Sequence, residues 1–256
     1  RAVLNYENEV TRDLARTAEC PVTLFSHDYI PDEELREGDS AVYEKDGVIV
    51  FRARGEEEFP ILQVSDILLP GRHNVENYMA AIAAVRGYAG PEEITAVAKT
   101  FRGVRHRLEL VREFSGVAYY NGSIDSSPTR TLAALSAMTE MNTREGRRAP
   151  TVICGGQDKH VPFDPLAEGL CRHAARVIVT GEARDQILTA LQACPDFDPD
   201  KLPVTVIPDY REAMKTACEA AEDGDTVLLS PACTSFDAFK NFEERGEVFR
   251  KIVMEL

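Results

Sequence analysis

The chain has no long apolar run. Its uncharged hydrophobic stretches fall well short of the ~20 residues that a membrane-spanning helix needs, so no membrane association is expected. It also lacks cationic excess: 29 Lys and Arg stand against 43 Asp and Glu, a net charge of −14. Non-specific binding to nucleic acid needs a basic surface, so nucleic acid is not an expected partner. A local basic pocket for an anionic substrate is still compatible with that balance. The six cysteines, Cys20, Cys154, Cys171, Cys194, Cys218 and Cys233, include no CxxC pair. Several sit within apolar strand or helix patterns, which favours free thiols in a reducing cytosol over disulfides or a zinc site. Signal peptide, internal repeats and low-complexity segments are missing too. The first residue is Arg1 and a strand pattern starts at once, so the sequence reads as the downstream part of a longer protein.

What is present fits a globular protein. The 256 residues, 44% hydrophobic and 28% charged, suffice for one large domain or two ordinary ones. From Val3 to about Arg105, short β patterns (Val3–Asn5, Val22–Phe25, Ser40–Glu44, Val48–Arg52, Phe59–Val64) accompany a helical stretch through Ala18. Asp46-Gly47 between two of them predicts a tight hairpin turn. An Ala-rich helix over Asn74–Tyr88 and a second helix opened by Pro91-Glu92-Glu93 follow. The pattern resets near Phe101–Arg107. Strands are then predicted at Leu108–Phe114, Val117–Asn121, Pro150–Cys154, Ala175–Thr180, Val204–Ile207 and Thr226–Leu229. They alternate with helices at Pro128–Met141, Pro165–His173, Ala183–Ala193, Tyr210–Glu222 and Phe236–Val253, with a surface loop at Asn142–Arg148. This alternation implies a mostly parallel sheet covered on both faces.

Several segments place polar residues where a strand or loop gives way to a helix. In Ser230-Pro231-Ala232-Cys233-Thr234-Ser235, hydroxyls follow a buried strand, as in either an ordinary helix cap or an anion-binding turn. Cys154-Gly155-Gly156-Gln157-Asp158-Lys159 sets two permissive glycines and an ammonium at the end of another strand; a lone Lys there is also compatible with simple solvation. Tyr120-Asn121-Gly122-Ser123-Ile124-Asp125-Ser126-Ser127-Pro128 has Ser127 as its expected N-cap. In Gly71-Arg72-His73-Asn74-Val75-Glu76-Asn77, the two asparagines share a helical face. They offer the donors and acceptors that an adenine edge requires, although Asn74 as a plain N-cap explains the pattern as well. Arg105-His106-Arg107 falls on the domain reset and reads by itself as a basic, solvated linker.

Together these motifs resemble the Mur ligases, in particular the members that add D-glutamate during peptidoglycan synthesis. The final string through Phe242 (SPACTSFDAFKNF), the HNxxN pattern, the His-Arg pair and GGxxK occur in the family's order over essentially the whole chain. The resemblance implies an α/β fold: a truncated central domain over 1–105, then a Rossmann-like, doubly wound C-terminal domain over 106–256. It implies ATP contacts from Asn74, Asn77 and Arg107, with the asparagines and Arg107 lining one adenine-side surface. It also implies D-glutamate contacts from Lys159, Ser126, Ser235 and Phe242; Phe236 and Phe239 read as core. The family carries an acid where this chain has Gly122, and Asp125 is the candidate replacement toward the ribose, a point the sequence leaves open. ATP, Mg²⁺, UDP-N-acetylmuramoyl-L-alanine and D-glutamate are the implied ligands. No G-x-x-x-x-G-K-[ST] phosphate loop occurs, and no metal ligand is assigned, so the chain alone is expected to be inactive. A folylpolyglutamate-type amide ligase and a non-catalytic nucleotide- or amino-acid-binding module are the alternatives.

Overall fold

The Asp46-Gly47 pair does what a two-residue hairpin requires. Both residues have positive φ, 50° and 75°, which matches a type I′ connection whose twist suits the flanking strands. They join β3 (Ser40–Lys45) to β4 (Val48–Ala53), with Lys45 opposite Val48. In the computed structural model, which describes residues 1–69 and 71–256, the chain forms two compact units, Arg1–Arg102 and Gly103–Leu256.

In the first unit, β1 (Ala2–Asn5), β2 (Val22–Ser26) and β3 run parallel, while β4 and β5 (Phe59–Gln63) add antiparallel. Three helices accompany the sheet: α1 (Glu9–Thr17), α2 (Arg72–Val85) and α3 (Pro91–Thr100). β3 is buried on both faces, and its side chains alternate. Val42 packs with Ile49, Leu62, Met79 and Ile82, whereas Ala41 and Tyr43 pack with Leu24, Ile30 and Val50. That division is the signature of a sheet covered on both sides.

The second unit carries the strand order β10-β9-β8-β11-β7-β6. Its strands are β6 (Glu109–Phe114), β7 (Val117–Asn121), β8 (Thr151–Gly155), β9 (Arg176–Thr180), β10 (Val204–Val206) and β11 (Thr226–Leu229). All pair in parallel except β6, which closes one edge antiparallel to β7. Helices α4 (Pro128–Glu145), α5 (Asp164–His173) and α6 (Arg184–Ala193) share one core with Tyr120, Val152, Val179 and Leu228. Helices α7 (Tyr210–Glu219) and α8 (Phe242–Met254) share the other with Tyr119, Ile153, Ile178, Val227 and Leu229. Successive strand residues thus point to opposite layers, as a doubly wound sheet demands. Because β11 inserts between β8 and β7, the loops leaving these three strands meet at one edge, where the strand order reverses.

Two sequence expectations fail here. Helix α4 continues to Glu145, four residues past Met141. Asn142, read as the start of a surface loop, is buried: its amide donates to the Arg148 carbonyl at 2.7 Å and its Oδ1 accepts from Thr226 at 3.2 Å. Its polarity serves an internal bond. The last helix begins at Phe242, and residues 236–241 form a turn. The Ser235 carbonyl takes the amides of Ala238 and Phe239, and a new cap at Asn241 accepts from the Glu244 amide at 2.9 Å. Phe236 is consequently 63% exposed and not core, while Phe239 packs edge-on to Tyr210 at 5.1 Å. Other element ends agree with the sequence reading to within three residues.

Candidate functional site

The loops following β8, β11 and β7 are sewn together by main-chain bonds. Gly122 N donates to the Leu229 carbonyl at 2.7 Å, and Gly155 N to Pro231 at 2.8 Å. Gln157 N donates to Thr234 at 3.0 Å, and the Thr234 hydroxyl returns a bond to the Gln157 carbonyl at 3.3 Å. This close approach needs the glycine pair. Gly155 and Gly156 have φ of 123° and 152°, and Cβ atoms there would lie 1.9 Å from the Thr180 carbonyl and 2.2 Å from that of Thr234. Ala232, within the β11 loop, also adopts positive φ (59°), a strained conformation that the surrounding bonds hold in place.

Lys159 leaves this construction exposed, with Nζ 3.4 Å from the Ser126 hydroxyl of the neighbouring loop. Ser235 is buried one residue beyond Thr234. Phe242 opens α8; its ring packs edge-on against His106 at 5.8 Å and its carbonyl accepts from the Ser123 hydroxyl at 2.7 Å. Lys159 and Ser126 are therefore in direct contact, and the loop of Ser235 is bonded to the loop of Lys159. Ser127 is the N-cap of α4 by position, but its hydroxyl meets Thr129 and not the helix amides.

Asp125 is 6% exposed. Its Oδ2 accepts from the Ser230 hydroxyl at 2.9 Å. Burial pushes its carboxyl up to about 7, and the Ser230 bond and the charges of Arg107, Arg130 and Arg245 offset only part of that. Gly122 makes room for it: a Cβ at 122 would stand 2.6 Å from Asp125 Oδ2 and 2.8 Å from the Leu229 carbonyl.

Arg107 is exposed on a turn between His106 and Leu108, both at positive φ (66° and 47°). His106 anchors that turn. It is buried against Gly246, its Nδ1 lies 3.1 Å from the Asn121 amide, and its main-chain N–H donates to Glu109 at 2.8 Å. In the first unit, Asn74 is buried in the first turn of α2 and accepts from the Asn77 amide at 3.3 Å. The N-cap of that helix is Gly71, so Asn74 is not the cap.

The sequence reading named Ser230 within its motif but not its bond to Asp125, and it missed the Gly246 seat and Arg245. Arg245 is wholly buried and bonded to both the β7 and the β11 loops. Its position three residues after Phe242 and four before Phe249 puts it on the apolar face of α8, and that spacing was the available signal.

Residues 106–233 match the family model described as the Mur ligase glutamate ligase domain, half of the chain. The chain belongs to the Mur ligase family. This Mur ligase chain is 41% identical over 255 residues to the UDP-N-acetylmuramoylalanine–D-glutamate ligase of Acetivibrio thermocellus, covering 99% of the chain and 51% of the relative. With the enzyme of the same name from Clostridium perfringens it shares 40% over 251 residues, 98% of the chain and 50% of the relative. The chain thus spans about half the length of the curated relatives it matches. Two solved structures share its fold. MurF from Acinetobacter baumannii aligns with a TM-score of 0.63 at 14% identity, over 99% of this chain and 52% of that one. The UDP-N-acetylmuramate–alanine ligase MurC from Thermotoga maritima aligns with a TM-score of 0.60 at 18% identity, over 98% and 56%. Among the described residues, no helix is long and apolar enough to cross a membrane.

Proposed function

We propose that this chain is part of an ATP-dependent ligase that joins D-glutamate to UDP-N-acetylmuramoyl-L-alanine, a cytoplasmic step of bacterial peptidoglycan synthesis. Residues 1–105 are the C-terminal portion of its ATP-binding central domain, and 106–256 form its amino-acid-binding domain. The observation that carries this reading is the gathering of Lys159, Ser126 and Ser235 on three mutually bonded loops at the carboxyl ends of β8, β7 and β11. There the Lys159 ammonium pairs with a D-glutamate carboxylate, the two serines donate hydroxyls, and Phe242 forms the wall.

For the nucleotide, Asn74 and Asn77 of the first unit are the residues suited to an adenine edge, and Arg107 of the second unit is the one suited to phosphate or ribose oxygens. Asp125 faces the ribose. The space that a side chain at Gly122 would fill is taken by the Asp125 carboxyl, which supports Asp125 as the acid on this side of the site.

The chemistry is amide formation in two steps. The carboxylate of the muramoyl substrate attacks the γ-phosphorus of ATP, releasing ADP and leaving an acyl phosphate. The D-glutamate amine then adds to the acyl carbon, and the tetrahedral intermediate expels inorganic phosphate. Positioned charges do most of the catalytic work in such transfers. Mg²⁺ supplies charge neutralisation for the phosphates in this class of reaction. Among the described residues, no group of three His, Cys, Asp or Glu side chains is arranged to hold a metal ion. The chain has no phosphate-cradling loop, and by itself it is inactive in this reading.

The test is Lys159→Ala in the complete protein. A charge-assisted hydrogen bond is worth about 1.5–3 kcal/mol. The KM for D-glutamate therefore rises roughly ten- to a hundredfold, while the KM for ATP stays nearly unchanged. An equal loss toward both substrates takes Lys159 out of the amino-acid site.

A further inference from the structure

Helix α8 turns a cation into the core. Arg245 has no exposed surface and is one of the largest fully buried side chains in the protein. Among the described residues, no carboxylate lies within ion-pair distance of it. Its donors are instead divided between two loops. Nε meets the Ser123 hydroxyl at 3.2 Å and Nη2 the Ser123 carbonyl at 2.9 Å, both on the loop after β7. Nη2 also meets the Cys233 carbonyl at 3.1 Å, and Nη1 the Thr234 carbonyl at 3.1 Å, both on the loop after β11.

A buried charge is expensive, and an apolar side chain of similar volume fills a core at lower cost. Packing alone does not account for an arginine here. A planar guanidinium presents five donors in a fixed fork, which suits it to hold several acceptors at set separations. Carbonyl and hydroxyl oxygens satisfy those donors without cancelling the charge. The Asp237 carboxylate, whose charge reaches Arg245, accepts from the Tyr210 hydroxyl at 3.2 Å and the Glu182 amide at 3.0 Å. The guanidinium, its charge offset in part by Asp237, sits behind the two loops that carry Ser126 and Ser235.

We propose that Arg245 is a positioning residue for the anionic amino-acid substrate. It fixes the separation of the Ser126 loop from the Ser235 loop and gives the pocket between them a positive background that favours a dicarboxylate. This inference rests on the D-glutamate reading above.

The experiment compares wild type, R245M, R245K and S123A in the complete protein, following ADP release against D-glutamate and against UDP-N-acetylmuramoyl-L-alanine, with thermal melting alongside. R245M raises the D-glutamate KM at least tenfold and leaves that of the nucleotide-sugar substrate within about twofold. R245K, which keeps the charge but lacks the fork, falls between R245M and wild type. S123A, which removes one acceptor, raises the D-glutamate KM roughly two- to tenfold. Should R245M not fold, R245K and S123A decide the matter by the same readout. A D-glutamate KM within twofold of wild type in these variants, with only kcat or melting temperature reduced, assigns Arg245 a purely structural role and overturns the proposal. Wild-type protein without any D-glutamate-dependent ADP release instead overturns the functional reading on which the proposal stands.

Discussion

Asp125→Asn is a near-isosteric change at the most unusual carboxyl of the site. In the folded chain, burial lifts the Asp125 carboxyl from 3.8 to about 7. The folded value lies above the unfolded one, so the proton stabilises the fold. That contribution is complete below about pH 4 and is lost as the pH rises through about 7. Each pKa unit is worth about 1.4 kcal/mol, which sets an upper bound of about 4 kcal/mol on the cost of carrying the charge at pH 8; local relaxation and water entry lower it. Asparagine keeps an acceptor for the Ser230 hydroxyl and carries no charge at any pH. Urea denaturation of both chains at pH 4, 6 and 8 reads the difference directly. The variant should match wild type within about 1 kcal/mol at pH 4, the scale of one hydrogen bond, and exceed it increasingly toward pH 8. Other titrating groups are common to both chains and cancel in the comparison. A difference that stays flat from pH 4 to 8 would refute the burial of this carboxyl.

Two further changes probe the framework around the site. Gly246→Ala places a Cβ 2.2 Å from His106 Nδ1 and 2.9 Å from the Asn121 amide. The overpacking costs about 1–3 kcal/mol, of which the better helix propensity of alanine returns at most about 1 kcal/mol; a net gain in urea stability would show that His106 is not seated there. Asn241→Ala removes the side chain that caps α8 and should cost about 1 kcal/mol, whereas Asn241→Ser should be close to neutral. Equal losses in the two Asn241 variants would contradict the capping role.

The fold was largely legible in the sequence. Buried parallel strands such as Val152–Cys154 and Thr226–Leu229 stand out as short apolar runs between turn residues, and their alternation with helices fixes the doubly wound architecture. Legibility failed where a polar residue finds its partner far along the chain. Asn142 bonds across to Thr226 and Arg148, which no local pattern reveals. The turn at 236–241 escaped for a related reason: Asp237 is engaged by Tyr210 and Glu182, while Asn241 takes over as cap. Within the candidate site, the motif residues could be named from the sequence. The groups that hold them, Arg245 and the Gly246 seat, lie on a helix face that reads as ordinary core, and only the strand order brings that face against the β7 and β11 loops.

The most direct test of the account is ADP release by the complete protein, given ATP, Mg²⁺ and UDP-N-acetylmuramoyl-L-alanine, measured for D-glutamate beside L-glutamate, L-alanine, L-lysine and meso-diaminopimelate. The account predicts turnover with D-glutamate and little with the others, because it assigns Lys159 to a carboxylate of D-glutamate. Equal or greater turnover with one of the other amino acids, or none with D-glutamate, would contradict it.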